Sequence, residues 1–179
     1  LRLWKDRCTL AESRAIEVFC ENLYKAMLEP PAAISSTYIL VLDPGFQAGI
    51  KCGILKSSGA VERLETVKYM GNSRSSGKKQ LKNLMCYVNS LTGDNNVCVV
   101  LGNGHGTREV RELVLESSKE ANKPVDIHLV NEAGASVWSV TENAMVEFPK
   151  ETAASIASVS IGRRFLNPLH ELVKIPPRR

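Results

Sequence analysis

Residues 97–130 constrain the fold of this chain more than any other segment. Residues 97–101 form a continuous apolar run of strand length, and residues 125–130 form a second predicted buried strand, in which Asp126 and His128 alternate with apolar residues. Between them, apolar residues recur at helical spacing from the predicted N-cap Thr107. Strands without polar alternation are typical of parallel strands buried on both faces, and parallel neighbours need a crossover connection, usually a helix. The segment therefore predicts a strand–helix–strand unit within a helix-covered sheet.

The segments on either side of this unit complete an α/β pattern. Three short strand candidates joined by turns precede it, and they predict an antiparallel meander. The full predicted order is β-β-β-α-β-α-β-α, which implies a mixed sheet with helices on both faces. The strand candidates are 38–42, 50–56 and 61–69, and the further helix candidates are 78–91, 133–145 and 152–165.

The sequence suggests three parts along the 179 residues. Residues 1–36 hold a helix at 11–28 and a linker after two prolines, residues 37–150 hold the sheet, and residues 151–179 form a helical extension. No apolar stretch reaches membrane-spanning length, so no membrane association is expected. Five cysteines without CxxC spacing predict buried free thiols and an intracellular location, in the nucleus or the cytoplasm.

Basic residues form local spots on a chain whose net charge is only +4. Residues 160–179 hold five basic residues against one acid, so the remainder is close to neutral. Local basic surface favours phosphate contacts, whereas the alternative for each spot is an ordinary solvated face. For Arg163 and Arg164 the alternative is pairing with acids such as Glu142 or Glu171. The candidate nucleic-acid-binding residues are Arg108, Arg163, Arg164, Lys78 and Lys79.

Polar side chains follow three of the predicted strands. Asp43 follows the first, Asn103 the fourth and Glu132 the fifth. Ligands of open α/β sheets gather at the carboxyl ends of parallel strands, and carboxylates there could hold Mg²⁺ for phosphodiester hydrolysis. Each residue also has a plainer interpretation: Asp43 as a turn residue, Asn103 as a left-handed turn residue, and Glu132 as a first-turn helix acid.

Five motifs in this chain resemble those of a known family. Together they are similar to the YqgF domain of the Tex family of transcription accessory proteins, a relative of ribonuclease H and of the Holliday-junction resolvases. The departures from the motifs of bacterial members favour a eukaryotic member that carries an RNA-binding domain of the ribosomal S-one type. The motifs are LDPGFQAG (42–49), LGNGHGTRE (101–109), VNEAGASVWS (130–139), EFP (147–149) and SIGRRFLNPLHELVKI (160–175).

The resemblance implies a ribonuclease H-like fold within a larger nucleic-acid-binding protein. Asp43 and Glu132 match two carboxylates of the nuclease pattern, and Asn103 stands where that pattern has an acid. Two carboxylates and an amide offset less charge than a full acidic set, so Mg²⁺ or Mn²⁺ would bind weakly through Asp43 and Glu132. The resemblance thus favours a degenerate catalytic site.

Three functions remain open at this point. The leading hypothesis is a scaffold or weak nucleic-acid-binding module, with RNA favoured over DNA as the partner. The second is an active metal-dependent nuclease or resolvase on structured RNA or DNA. The third is a nucleotide-binding domain of the actin and sugar-kinase type, against which the chain length argues. Thermal stabilisation by nucleotides would distinguish the third hypothesis from the other two.

Overall fold

The computed structural model describes residues 2–32, 34–45, 48–93 and 96–175. Its centre is one five-stranded sheet in the spatial order β3-β2-β1-β4-β5. The first three strands pair antiparallel, whereas β1–β4 and β4–β5 pair parallel, so the predicted mixed sheet is confirmed. The strands are β1 (Tyr38–Asp43), β2 (Ile50–Lys56), β3 (Val61–Val67), β4 (Val97–Gly102) and β5 (Val125–Val130).

Helices cover both faces of this sheet, as expected. The helices α2 and α3 pack on one face and α6 packs on the other, and each face has its own apolar core. A 3₁₀ turn at Gly71–Ser73 precedes α2. The helices are α1 (Arg2–Met27), α2 (Arg74–Thr92), α3 (Thr107–Ala121), α4 (Ala135–Trp138), α5 (Glu142–Glu147), α6 (Ala153–Leu166) and α7 (Pro168–Leu172).

Strand β1 lies in the middle of the sheet and contributes to both cores. Successive side chains of a strand point to opposite faces, so Leu40 and Leu42 join the α2 and α3 side, while Ile39 and Val41 join the α6 side. All four are completely buried. The strand ends at Asp43, which emerges at the carboxyl end of this buried segment.

The helix predicted at 11–28 begins earlier, at Arg2, and two further predicted elements differ from the structure. Residues 125–130 are predicted as a buried strand, but β5 lies at the edge of the sheet and is only partly buried, with Leu129 59 % exposed. The predicted helix 133–145 is two short helices, α4 and α5. The first helix ends at Trp138, and Thr141, whose backbone is extended, caps the second because its hydroxyl accepts from Ala144 N.

The boundary predicted at residue 150 would separate helix α6 from the sheet on which it packs. Helix α6 begins at Ala153, where the Thr152 hydroxyl caps it, and it packs against β1, β2 and β4. The sheet domain therefore includes α6. Helix α1, in contrast, buries none of its residues and contacts α7.

The cysteines are less uniformly buried than expected. Cys52 and Cys98 are buried, Cys8 is partly exposed, and Cys20 and Cys86 are exposed. The exposed pair lies on outward helix positions, so apolar periodicity alone overestimated their burial. The intracellular location inferred from the cysteines stays a prediction. Within the described ranges, no helix has both the length and the hydropathy to span a membrane.

Candidate functional site

The carboxyl ends of three strands bring Asp43, Asn103 and Glu132 to one edge of the sheet. Leu42 pairs with Leu101 across β1 and β4, and Gly102 pairs with Val130 across β4 and β5. Asp43 follows Leu42, Asn103 follows Gly102, and Glu132 comes two residues after Val130. We call the three the acidic edge.

Glu132 lies against the backbone of the loop after β4. A Cβ on Gly102 would come within 2.7 Å of Glu132 Oε2, and a Cβ on Gly104 would overlap the carboxylate. The two glycines thus make room for this side chain. Glu132 Oε2 is buried and finds no hydrogen-bond partner in the described part of the chain. A buried carboxylate oxygen without a donor is costly, and a bound cation is one way to satisfy it.

The Asn103 side chain binds the backbone of the acidic edge. Its Oδ1 accepts a hydrogen bond from Glu132 N at 3.2 Å, so it joins the two loops. Thr107 contributes to the same loop, and its Oγ1 lies 2.7 Å from Gly102 O and 2.6 Å from Gly104 O. The prediction of Thr107 as N-cap was wrong: Gly106, with a positive φ of 91°, occupies that position. The Thr107 hydroxyl instead stabilises the loop after β4 by hydrogen bonding to its backbone carbonyls.

Asp43 is a buried carboxyl beside another acid. Burial and, to a smaller extent, the negative charge of Glu132 raise the pKa of Asp43 to about 7, although the ammonium of Lys51 acts in the opposite direction. Lys51 pairs with Asp43 across β1 and β2 and is only 8 % exposed. Its Nζ donates to Ala48 O at 2.9 Å and to Gly49 O at 3.3 Å.

Lys51 is a residue that sequence reasoning missed. Only its place within an otherwise apolar strand could have pointed to it, since its position opposite Asp43 depends on the pairing register.

The acidic edge has donors for one cation but not for a complete two-metal site. The orphaned Glu132 Oε2 and the nearby Asp43 carboxyl suit a single divalent ion. No group of three His, Cys, Asp or Glu side chains suited to a metal occurs in residues 2–32, 34–45, 48–93 or 96–175. Asn103 would add a neutral amide oxygen, and that oxygen already accepts from Glu132 N.

The two neighbouring arginines of α6 have internal partners. Arg163 Nε donates to Gly59 O at 2.9 Å, and its Nη1 donates to Glu147 Oε2 at 3.1 Å. Arg164 is 6 % exposed, and its Nη1 donates to Asn131 O at 2.5 Å and to Ala133 O at 2.8 Å. These contacts match the pinning alternative, with Glu147 in place of Glu142, and they leave Arg164 almost no surface for a phosphate.

The other candidate basic residues differ in side-chain exposure and in ion pairing. Lys78 Nζ contacts Glu116 at 3.4 Å and Glu120 at 2.7 Å. Lys79 is exposed, and the Arg108 side chain is 89 % exposed with an ion pair to Glu112 at 3.5 Å. Arg178 and Arg179 of the basic tail lie outside the described residues. Arg108 and Lys79 are therefore the predicted residues with free side-chain surface.

The fold and the acidic edge together define an α/β domain with a mixed five-stranded sheet and polar residues at the strand ends. The chain matches the family model of the Tex protein YqgF-like domain over residues 37–166. It therefore belongs to the Tex family.

Relatives of known sequence agree with this assignment. The protein tex of Bordetella pertussis is 36 % identical, and the alignment covers 94 % of this chain and 21 % of that protein. The human S1 RNA-binding domain-containing protein 1 is 30 % identical, with 94 % of this chain and 16 % of that protein covered. The chain thus spans about a fifth of the length of such relatives. The expected eukaryotic origin stays a prediction, since bacterial and human proteins are both among the relatives.

Among solved structures, the Thermus thermophilus RuvC structure resembles the chain distantly. The TM-score is 0.43 at 12 % identity, over 75 % of this chain and 97 % of that chain.

Proposed function

We propose that this chain is a scaffold or weak nucleic-acid-binding module of a Tex-family protein, with a degenerate nuclease site. Asn103 is the observation that carries the proposal. It stands at the strand end where a third acid would complete the site, and its Oδ1 holds the Glu132 amide. A neutral residue there lowers the negative charge available to paired metal ions.

The proposed nucleic-acid contact is made through phosphates. The exposed side chains of Arg108 and Lys79 can approach a phosphate backbone, and phosphate contacts carry no direct sequence information. RNA is favoured over DNA because a relative covering 94 % of the chain is named for an RNA-binding domain.

A second candidate function is an active metal-dependent nuclease. The orphaned Glu132 Oε2 beside Asp43 favours it, since Asp43 and Glu132 would hold one Mg²⁺ or Mn²⁺. Such an ion would supply Lewis-acid polarisation of a phosphodiester. The nucleotide-binding alternative loses its support because the chain belongs to the Tex family.

Calorimetric titration with Mn²⁺ tests the acidic edge. We expect Asn103→Asp to raise the Mn²⁺ affinity by about tenfold, because it adds a carboxylate to the donor set. We expect Asp43→Asn to lower the affinity by removing a donor. Asn83→Asp makes the same chemical change at an exposed position of α2 and should leave the affinity unchanged.

Two results would decide against parts of this proposal. Identical Mn²⁺ binding by the wild type, Asn103→Asp and Asp43→Asn would exclude the acidic edge as the metal site. Cleavage of a labelled branched RNA or DNA by the wild type with Mn²⁺, lost in Asp43→Asn, would replace the scaffold by the nuclease.

A further inference from the structure

Arg164 reaches from the last turn of α6 to the loop that carries Glu132. Its Nη1 donates to the carbonyl oxygens of Asn131 and Ala133, which are the two neighbours of Glu132. A single guanidinium nitrogen thus serves both carbonyls. The backbone on either side of Glu132 is therefore attached to α6.

The loop needs such a restraint because of its place in the sheet. It follows β5, which pairs with β4 only. Its other tie to β4 is formed by Glu132 N with Asn103 Oδ1 and by Asn103 N with Val130 O at 3.0 Å. These bonds attach the loop after β5 to the loop after β4. The bonds from Arg164 attach it to helix α6.

Two acids act on the buried charge of Arg164. Burial lowers the pKa of its guanidinium, and the charges of Glu171 and Glu132 act in the opposite direction. Glu171 lies on α7, is 1 % exposed, and accepts from Lys174 Nζ at 2.7 Å. Arg164 thus interacts electrostatically with the acid of α7 and with the acid of the acidic edge.

We propose that Arg164 is a positioning residue, which holds the Glu132 carboxylate at the acidic edge by binding the carbonyls of Asn131 and Ala133. The proposal rests on the proposed function in one respect, namely that Glu132 belongs to the binding site. It assigns Arg164 a role other than direct nucleic-acid contact. It also links the site electrostatically to α7, because the guanidinium interacts with the charges of both Glu132 and the buried Glu171.

Amide hydrogen exchange in the 179-residue chain tests the proposal without any metal. We expect Arg164→Met to accelerate exchange of the Glu132 amide by about tenfold or more, while the amides of Val99 and Val100 in β4 stay protected. Arg163→Met is the matched control, since it makes the same change one residue away, where the partners are Glu147 and Gly59. It should leave the Glu132 amide unchanged.

Arg164→Lys is the second variant, for the case that Arg164→Met does not fold. A lysine ammonium keeps the charge but loses the planar guanidinium, so we expect a few-fold faster exchange at Glu132 and no change in β4. Unchanged exchange at Glu132 in Arg164→Lys and Arg164→Met, or equal acceleration at Glu132 and throughout β4, would overturn the positioning role.

A parallel Mn²⁺ titration separates the two proposals. Arg164→Met should weaken Mn²⁺ binding by about tenfold if Glu132 is a ligand that Arg164 positions. If the wild type binds no Mn²⁺, the metal part of the proposed function fails, and the exchange experiment still decides the role of Arg164. If the wild type binds Mn²⁺ and Arg164→Met binds it equally well, the positioning role is rejected while the metal site stands.

Discussion

Asp43 shows how a single residue can carry an electrostatic cost at the end of a buried strand. Its carboxyl lies beside Glu132, and burial raises its pKa from 3.8 to about 7. Between these two values the folded state binds more protons than the unfolded state. The free energy of unfolding attributable to Asp43 therefore falls as the pH rises through this window.

Removing this charge should change the pH dependence of stability. We expect Asp43→Asn to gain about 2 kcal/mol in free energy of unfolding relative to the wild type between pH 5 and pH 8, because the wild type alone pays for ionising a buried acid. Urea denaturation at both pH values measures the difference. Glu142→Gln, at an exposed position, is the control and should show no such trend. A difference between Asp43→Asn and wild type that is constant from pH 5 to pH 8 would contradict the burial of this charge.

Helix α6 shows how one element depends on a close approach to the sheet. Its face against β1 and β2 includes Gly162, where a Cβ would lie 2.5 Å from Val41 Cγ2 and 2.9 Å from Leu55 Cδ2. These distances are well inside normal carbon–carbon contact. Glycine therefore lets α6 pack close to the sheet. This close packing also brings Arg164 within hydrogen-bonding distance of the Glu132 loop.

Substitution of Gly162 by alanine has two opposing effects on stability, a gain in helix propensity and a loss from overpacking. Alanine is favoured over glycine inside a helix by about 1 kcal/mol, whereas overpacking a core costs about 1–3 kcal/mol. We expect packing to win, so that Gly162→Ala lowers the free energy of unfolding by about 1–2 kcal/mol in urea denaturation. Ser76→Ala, at an exposed position of α2, should stay within about 0.5 kcal/mol. A Gly162→Ala variant as stable as the wild type would show that α6 moves away at little cost.

At the scale of the whole molecule, internal pairing removes much of the basic surface. Lys78 is paired with two acids of α3, and Arg163 is paired with Glu147. Arg108 remains mostly exposed at the beginning of α3, next to the loop of the acidic edge. The distribution of charge thus favours a small phosphate-binding area over an extended basic face.

Binding of a labelled single-stranded RNA should report this area. We expect Arg108→Ala to weaken binding a few-fold and to reduce the slope of log affinity against log salt by about 1, because one phosphate contact is lost. Fluorescence anisotropy at several salt concentrations measures both quantities. Arg63→Ala is the control, since Arg63 is also exposed but lies on β3 at the opposite edge of the sheet. Salt-insensitive or strongly sequence-selective binding by the wild type would contradict the phosphate model.

The sequence alone determined the order of strands and helices and the place of the acidic edge. Apolar runs, helical spacing and turn residues are local signals, and they identified β1, β4 and α6 nearly to the residue. Residues directly after parallel strands share one edge of a sheet, so Asp43, Asn103 and Glu132 could be grouped before their contacts were known.

Only the tertiary structure decided which residues support that edge. Lys51 faces Asp43 because of the pairing register, and Arg164 meets the Glu132 loop because α6 packs low on the sheet. The exposure of β5 likewise follows from its edge position. Such contacts join residues far apart in the chain, and their geometry depends on how complete layers pack. Local sequence patterns therefore predicted the strand ends, whereas packing determined which charged side chains became buried beside them.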